Sequence, residues 1–129
     1  MNAASEKPLE GCRVLIVEDE AILLFEYSQI LLAAGAFIAG RATTVKGAIP
    51  MAKSEDFDCA LIDVKLRDGD VYPVARIVRD RGKSIVFVTG TPGLPELRKE
   101  WPDAEILDKP TKAEELISAL AKACKNRAQ

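Results

Sequence analysis

The stretch Val14-Leu15-Ile16-Val17-Glu18-Asp19-Glu20 places an uninterrupted apolar segment directly before three acidic residues. An apolar run without polar alternation is typical of a strand that is buried on both faces, as in a parallel sheet covered by helices. In such sheets, ligands bind beyond the carboxyl ends of the strands. The stretch therefore predicts a parallel α/β sheet with an acidic functional site at the end of its first strand.

The alternation of apolar strands and amphipathic helices continues along the chain. Five strands alternating with five helices predict a doubly wound α/β fold with one parallel, five-stranded sheet. We expect one domain over residues 12–127, preceded by an N-terminal extension over residues 1–11. The predicted strands are 13–17, 37–41, 59–62, 84–89 and 104–107, and the predicted helices are 21–34, 45–54, 73–81, 95–101 and 112–126.

The composition of the chain excludes several classes of protein. Its 129 residues carry a net charge of −2, so it lacks the basic excess of proteins that bind nucleic acids or anionic membranes. The sequence has no apolar run long enough to cross a bilayer. It also has no histidine, which excludes a Ser–His triad and a histidine-ligated metal site.

The three cysteines, Cys12, Cys59 and Cys124, are odd in number and widely spaced. This pattern argues against a disulfide framework and against a zinc cluster. Cys59 falls within an apolar run, where it is expected to pack as a small hydrophobic residue. We therefore expect a reducing, cytoplasmic compartment.

Polar residues with complementary chemistry follow four of the predicted strands. Because parallel strands all point the same way, we expect these side chains to lie together at one edge of the sheet. Their carboxylates would repel one another, and oxygen ligands without histidine or cysteine suit Mg²⁺, with Mn²⁺ as an alternative. A carboxylate can accept a phosphoryl group, with support from a lysine and a hydroxyl. The residues are Glu18, Asp19, Asp63, Thr89 and Lys109.

The chain resembles the response-regulator receiver domain of two-component signalling over nearly its whole length. This resemblance implies a CheY-like (βα)5 fold, of the flavodoxin-like type, with strand order 2-1-3-4-5. The matching stretches are Val14-Leu15-Ile16-Val17-Glu18-Asp19-Glu20, Leu61-Ile62-Asp63-Val64-Lys65-Leu66, Val86-Phe87-Val88-Thr89-Gly90 and Leu107-Asp108-Lys109-Pro110.

The resemblance also implies a role for each matching residue and a cis peptide bond before Pro110. The implied roles are those of phosphoryl acceptor (Asp63), metal ligands (Glu18, Asp19, Asp63 and the main-chain carbonyl of Lys65), switch hydroxyl (Thr89) and phosphate-binding lysine (Lys109).

The partners implied by the resemblance are a histidine kinase or a phosphotransfer protein upstream and a protein partner downstream. The regulator would signal by protein contact, pass its phosphate on, or drain phosphate from the kinase. It would not be an enzyme beyond self-phosphorylation and autodephosphorylation. We expect no direct contact with nucleic acid or with a membrane.

Three positions depart from the usual receiver pattern. Arg67 stands where receivers usually have proline, Val71 where they often have glycine, and Ile106 where they commonly have tyrosine or phenylalanine. The usual aromatic readout is therefore not expected at Ile106. Residues 87–93 resemble the alphaproteobacterial subclass named for a Phe-Ala-Thr-Gly motif ("FATGUY"), which implies kinases of the HWE/HisKA2 type.

Two further features have alternative interpretations. The stretch Asp68-Gly69-Asp70 resembles the acidic pair of some metal-dependent nucleases, or it forms a turn with a helix cap. A second apolar stripe on the first helix either packs against a neighbouring element or forms a docking face for the kinase. That stripe consists of Ile22, Phe25, Gln29 and Leu32.

Three competing functions remain at the level of the sequence. A Mg²⁺-dependent phosphatase or nuclease would turn over a substrate. A flavodoxin-type nucleotide-binding module would need a phosphate-binding loop where Glu18-Asp19-Glu20 stands, and these acids repel phosphate unless a cation intervenes. A phosphorylation-independent scaffold would leave Asp63, Thr89 and Lys109 without a role.

Overall fold

The computed structural model describes residues 7–91 and 94–125 of the chain. Strands and helices alternate through this part of the sequence. In chain order the elements are β1 (Arg13–Val17), α1 (Ala21–Ala33), β2 (Phe37–Ala42), α2 (Val45–Ser54), β3 (Cys59–Asp63), β4 (Lys65–Leu66), β5 (Gly69–Asp70), α3 (Tyr72–Asp80), β6 (Ser84–Thr89), α4 (Pro95–Glu100), β7 (Glu105–Asp108) and α5 (Ala113–Lys125).

The main sheet is parallel and has the order β2-β1-β3-β6-β7. Because β6 and β7 are the fourth and fifth strands of this sheet, the expected order 2-1-3-4-5 is confirmed. The predicted bounds of the elements agree with the observed ones to within one residue, although position 126 of the last predicted helix lies outside the described residues. The hydrophobic pattern thus positions each strand end correctly.

A short antiparallel hairpin of β4 and β5 lies outside the main sheet and was not predicted. Gly69 has a φ of 141°, a backbone conformation that side-chain-bearing residues rarely adopt. The hairpin follows β3 directly, so it lies next to the last residue of that strand, Asp63.

Asp68 caps a helix, which confirms the simpler interpretation of the Asp68-Gly69-Asp70 stretch. Its carboxylate accepts hydrogen bonds from the amides of Val45 at 2.9 Å and Lys46 at 3.2 Å. These are the first residues of α2, so Asp68 caps a helix that precedes it in the chain and satisfies amides that have no partner within the helix.

Two apolar clusters cover the two faces of the sheet. Helices α2, α3 and α4 pack on one face, and α1 and α5 pack on the other. Each fully buried leucine or isoleucine side chain contributes roughly 1.5–3 kcal/mol to folding. On the second face, the side chains that define the packing of α1 and α5 include Tyr27, Leu31, Leu116 and Leu120.

The second stripe of α1 lies on the surface. Ile22 is 74 % exposed, Phe25 is 65 % exposed and Leu32 is 48 % exposed. The interpretation that this stripe packs against a neighbouring element of the same domain is therefore wrong.

Part of the predicted N-terminal extension packs on the domain. Leu9 is buried, and its amide donates to the carbonyl of Ala34 at 2.8 Å. Residues 1–6 and 126–127 of the predicted segments lie outside the described residues, and the division at residue 12 stays a prediction.

The cysteine spacing argued against a disulfide framework, but the described residues contain one disulfide, which was not predicted. Cys12 and Cys124 are joined by a disulfide, and Cys59 lies beside them with its Sγ 3.5 Å from that of Cys124. Cys12 and Cys59 lie at the amino ends of β1 and β3, which are neighbours in the sheet, and Cys124 is in the last turn of α5. Sequence spacing does not predict this contact because the sheet joins residues that are far apart in the chain. We call this side of the sheet the amino edge.

None of the helices within residues 7–91 and 94–125 has the length and hydropathy needed to cross a membrane.

Candidate functional site

The polar residues predicted at the strand ends lie together at the opposite side of the sheet, which we call the carboxyl edge. Asp63 ends β3, Thr89 ends β6, and Glu18 directly follows β1. The amide of Lys109 donates to the carbonyl of Thr89 at 2.8 Å, which extends the pairing of β6 and β7 by one residue. Parallel pairing therefore brings side chains from four strands to one place.

Lys109 is the centre of the site. Its Nζ lies 3.0 Å from Oδ2 of Asp63, 3.3 Å from Oε1 of Glu18 and 3.5 Å from Oε1 of Glu20. The peptide bond between Lys109 and Pro110 is cis, as predicted. Glu20 was not among the predicted site residues, and its position directly after Asp19 was the only signal for it.

The buried charges shift the pKa values of Glu18 and Lys109 in opposite ways. Burial raises the pKa of Glu18 to about 7, and the negative charge of Asp63 adds to this shift. Burial alone would lower the pKa of Lys109, but the hydrogen bond to Asp63 and the charges of Asp63 and Glu18 outweigh it and raise the pKa. Lys109 is therefore positively charged at neutral pH.

An acidic cluster surrounds this lysine. Glu18, Asp19 and Asp63 each offer a carboxylate oxygen, and these oxygens all lie within 4.8 Å of one another. Oε1 of Glu18 is buried and has no hydrogen-bond partner among the described residues, although Nζ of Lys109 lies 3.3 Å away as its ion-pair partner. When ionised, these acids carry three negative charges against one on Lys109, which leaves a net charge of −2.

The cluster fits Mg²⁺ by the chemistry of its donors. Mg²⁺ prefers carboxylate oxygens, and a buried oxygen without a hydrogen bond is a ready ligand. When bound, Mg²⁺ would supply positive charge for the carboxylates and for phosphate oxygens. The residues that would hold it are Glu18, Asp19 and Asp63. The amide of Lys65 donates to Oδ1 of Asp63 at 3.3 Å, and the role of the Lys65 carbonyl as a metal ligand stays a prediction.

Asp19 has a partner that a typical receiver lacks. Its Oδ2 accepts a hydrogen bond from the amide of Arg67 at 3.0 Å, and the Arg67 Nε lies 3.8 Å from the same oxygen. Proline, the usual residue at this position, has no amide hydrogen and no charge. The departure at Arg67 therefore ties the β4–β5 hairpin to a candidate metal ligand.

The Thr89 hydroxyl is turned toward its own loop. Its Oγ1 accepts from the amide of Thr91 at 3.0 Å and donates to the Thr91 carbonyl at 3.2 Å. Thr89 is buried, with 5 % of its surface exposed. Its backbone joins the site through Lys109, whereas its side chain forms a local turn of the kind that serine and threonine favour.

Tyr27 is a buried neighbour of the site that was not among the predicted site residues. Burial raises its pKa to about 12, and the charge of Glu18 adds to the shift. Its helical spacing with Leu23 and Leu31 predicts burial but not proximity to these charges.

Comparisons with known proteins agree with this geometry. The family described as "Response regulator receiver domain" matches residues 14–121. No curated protein sequence matches the chain.

Solved structures of similar fold cover nearly the whole chain. A response regulator receiver protein from Sinorhizobium medicae WSM419 is 31 % identical, with a TM-score of 0.81 over 92 % of this chain and 98 % of that one. A CheY-like receiver domain protein from Methanospirillum hungatei JF-1 is 23 % identical, with a TM-score of 0.79 over 96 % and 98 % of the two chains. At that identity, the second likeness supports the fold alone. The family match over most of the sequence, together with the fold, shows that this chain belongs to the response-regulator receiver-domain family.

Proposed function

We propose that this chain is a response-regulator receiver domain that accepts a phosphoryl group on Asp63 with the help of Mg²⁺. The observation that carries this proposal is the contact of Lys109 Nζ with Oδ2 of Asp63 at 3.0 Å, inside a cluster with Glu18 and Asp19. A carboxylate beside a lysine and a divalent cation is suited to form and hold an acyl phosphate.

The proposed reaction is an in-line displacement at phosphorus. A carboxylate oxygen of Asp63 forms the new P–O bond while the P–N bond to a phosphohistidine of the donor breaks, and the leaving imidazole takes up a proton. Lys109 is already held at Asp63, so it can neutralise a phosphoryl oxygen without a large movement. Glu18 and Asp19 would hold the Mg²⁺ ion.

Thr89 is the proposed switch. In the unphosphorylated chain its hydroxyl is bonded to Thr91, so moving it to a phosphoryl oxygen breaks both of those bonds. Thr91 lies between β6 and α4, and the change would therefore be transmitted toward α4. Ile106 has no aromatic ring, and the proposal does not depend on one. Hydrogen exchange of residues 94–101, with and without a phosphoryl analogue, measures the transmission.

The direct test of the proposed function is intact-mass analysis after incubation with acetyl phosphate and Mg²⁺. The wild-type chain should gain one phosphate that hydroxylamine removes, and Asp63→Asn should gain none. Asp70→Asn is the matched control, because its carboxylate is nearby but exposed, and it accepts a hydrogen bond from the Tyr72 amide. A stable phosphate on Asp63→Asn would contradict the proposal.

We propose a histidine kinase or a phosphotransfer protein as the donor, with the exposed stripe of Ile22, Phe25 and Leu32 on α1 as its docking face. The resemblance of residues 87–93 to the Phe-Ala-Thr-Gly subclass favours kinases of the HWE/HisKA2 type. Phe25→Asp should slow transfer from the kinase without changing Mg²⁺ affinity. Phe37→Asp is a control, since Phe37 is 62 % exposed at the start of β2.

The output is proposed to be a contact with a downstream protein, onward transfer of phosphate, or drainage of phosphate from the kinase. We place the protein in the cytoplasm, where such kinases present phosphohistidine and where Cys12 and Cys124 would be kept reduced. A phosphatase or nuclease on the same site would release product in many turnovers, whereas the proposed regulator modifies itself once per cycle. Counting the phosphate released per chain in the presence of excess phosphomonoester distinguishes the two.

A further inference from the structure

The second cluster of chemically reactive side chains lies at the amino edge. The Sγ of Cys59 is 3.8 Å from that of Cys12 and 3.5 Å from that of Cys124, and the three sulfurs all lie within 4.8 Å of one another. Cys12 and Cys59 are 47 residues apart in the chain, and Cys59 and Cys124 are 65 residues apart. The sheet and α5 therefore build a three-sulfur cluster that the sequence spacing conceals.

The position of Cys59 relative to the disulfide is informative. Thiol–disulfide exchange needs the attacking sulfur on the axis of the bond, close to one sulfur and far from the other. Cys59 is almost equally distant from both, so it lies beside the bond. This arrangement does not suit exchange, whereas reduction of the Cys12–Cys124 bond would leave three thiols close enough together to share one ligand.

The surroundings of the cluster decide which ligand fits. Cys12, Cys59 and Cys124 are 2 %, 0 % and 5 % exposed, and they belong to an apolar cluster with Leu9 and Val14. Soft thiolates select thiophilic ions, and a low-dielectric site strongly disfavours a net charge. Three thiolates leave two negative charges around a monovalent ion, one around a divalent ion, and none around a trivalent one.

We infer that Cys12, Cys59 and Cys124, once the Cys12–Cys124 bond is reduced, form a three-sulfur site for one trivalent thiophilic metalloid of the arsenite class. The complex is neutral and needs no fourth ligand, so it suits a buried apolar setting. Among the described residues, the three sulfurs form one group of possible metal-ligating atoms.

The chemistry balances in two steps. A phosphine or dithiol reductant supplies two electrons, and with two protons the disulfide becomes two thiols. Arsenous acid then exchanges its three As–O bonds for three As–S bonds, and the three thiol protons leave with the hydroxides as three water molecules. The second step involves no change in oxidation state.

The test uses the full chain and arsenite, with intact-mass analysis under native conditions. The phosphine-reduced wild type should gain one arsenic atom and lose three hydrogens, and its count of alkylatable thiols after unfolding should fall from three to none. The oxidised wild type should take up no arsenic, and this comparison needs no substitution. Cys59→Ala, checked for folding by circular dichroism, should bind arsenite more weakly by at least about tenfold, the lower range for a perturbed metal site.

Three results would overturn the inference. They are no arsenic uptake by the reduced wild type, equal affinity in Cys59→Ala, and displacement of the arsenic by an equal concentration of Zn²⁺. The site is independent of the proposed phosphorylation, so Asp63→Asn should bind arsenite as the wild type does. A negative result in the arsenite test therefore does not affect the proposed phosphorylation of Asp63, and a negative phosphorylation test does not affect the proposed arsenite site.

Discussion

The two edges of the sheet gather different chemistry by the same means. The carboxyl edge holds oxygen ligands and a lysine, with Glu18 only 1 % exposed and Lys109 18 % exposed at its side chain. The amino edge holds three sulfurs in an apolar cluster. Strands β1 and β3 contribute to both sets, so the same sheet topology assembles both.

The difference lies in what each set requires of its surroundings. Carboxylates crowd together only when cations compensate them, and burial together with the charge of Asp63 raises the pKa of Glu18 although Lys109 lies beside it. Thiols are nearly apolar and can be packed densely without compensation. The carboxyl edge is therefore expected to respond to Mg²⁺ and phosphate, and the amino edge to redox conditions and thiophilic ions.

The largest effect is expected from Lys109→Met at the carboxyl edge. Removing the cation at Asp63 should slow phosphorylation by acetyl phosphate by about 10²–10³-fold, the usual effect of losing one group that stabilises transferred charge. Lys122→Met is the control, because Lys122 pairs with Glu105 at 3.7 Å near the amino edge and is 68 % exposed. Equal rates in the two variants, measured by intact mass against time, would remove Lys109 from the site.

The next largest effect is expected from reducing the Cys12–Cys124 disulfide. Its residues are 112 positions apart, and its loss should lower the free energy of unfolding by about 2–4 kcal/mol. Urea denaturation with and without a phosphine, in buffer containing a chelator, measures this loss. The phosphine should have no effect on Cys124→Ala, and it should not change the phosphorylation rate of the wild type. A coupled change in that rate would mean that the two edges are not independent.

A smaller effect is expected from Tyr27→Phe. Tyr27 packs in the same apolar cluster as the cysteines, and the negative charge of Glu18 contributes to its raised pKa. Its pKa is raised from 10.0 to about 12, so the folded chain retains this proton over a range in which the unfolded chain loses it. The contribution of this proton to the free energy of unfolding is fully present below pH 10 and is lost as the pH rises through about 12. Tyr27→Phe should therefore flatten the alkaline loss of stability by on the order of 1 kcal/mol.

The control for this experiment is Tyr72→Phe, because Tyr72 is only partly buried on the other face of the sheet. Thermal unfolding between pH 9 and about 12 gives the comparison. An equal flattening in both variants would show that the position of Tyr27 has no special influence.

The smallest effect is expected from Arg67→Ala. Its guanidinium approaches Asp19 at 3.8 Å but is 81 % exposed, and such pairs contribute at most about 1 kcal/mol. Removing this competing charge should raise the affinity for Mg²⁺ by up to about fivefold. Isothermal titration calorimetry measures the Mg²⁺ affinity. Arg76→Ala is the control, because Arg76 pairs with Glu100 and not with Asp19. A weaker affinity in Arg67→Ala would mean that Arg67 supports the metal site and does not compete with it.

The order of the elements and the gathering of acids and a lysine at the carboxyl edge can be predicted from the sequence alone. Continuous apolar runs such as Val14-Leu15-Ile16-Val17 are typical of strands buried on both faces, and an acid that directly follows such a run lies at a strand end. Parallel topology then brings Glu18, Asp63 and Lys109 together whatever the details of the loops. This is why the proximity of Glu18, Asp63 and Lys109 could be predicted from the sequence, whereas that of Glu20 was not.

The contacts between elements that pack side by side could not be predicted from the sequence and are seen only in the folded structure. The capping of α2 by Asp68, the bond from Arg67 to Asp19 and the meeting of three cysteines each join segments with no shared periodicity. Hydrophobic patterning specifies which face of a helix is buried, but not which residue of a neighbouring element it meets. Those distances follow from packing the whole domain, because close-packed side chains leave few alternative arrangements.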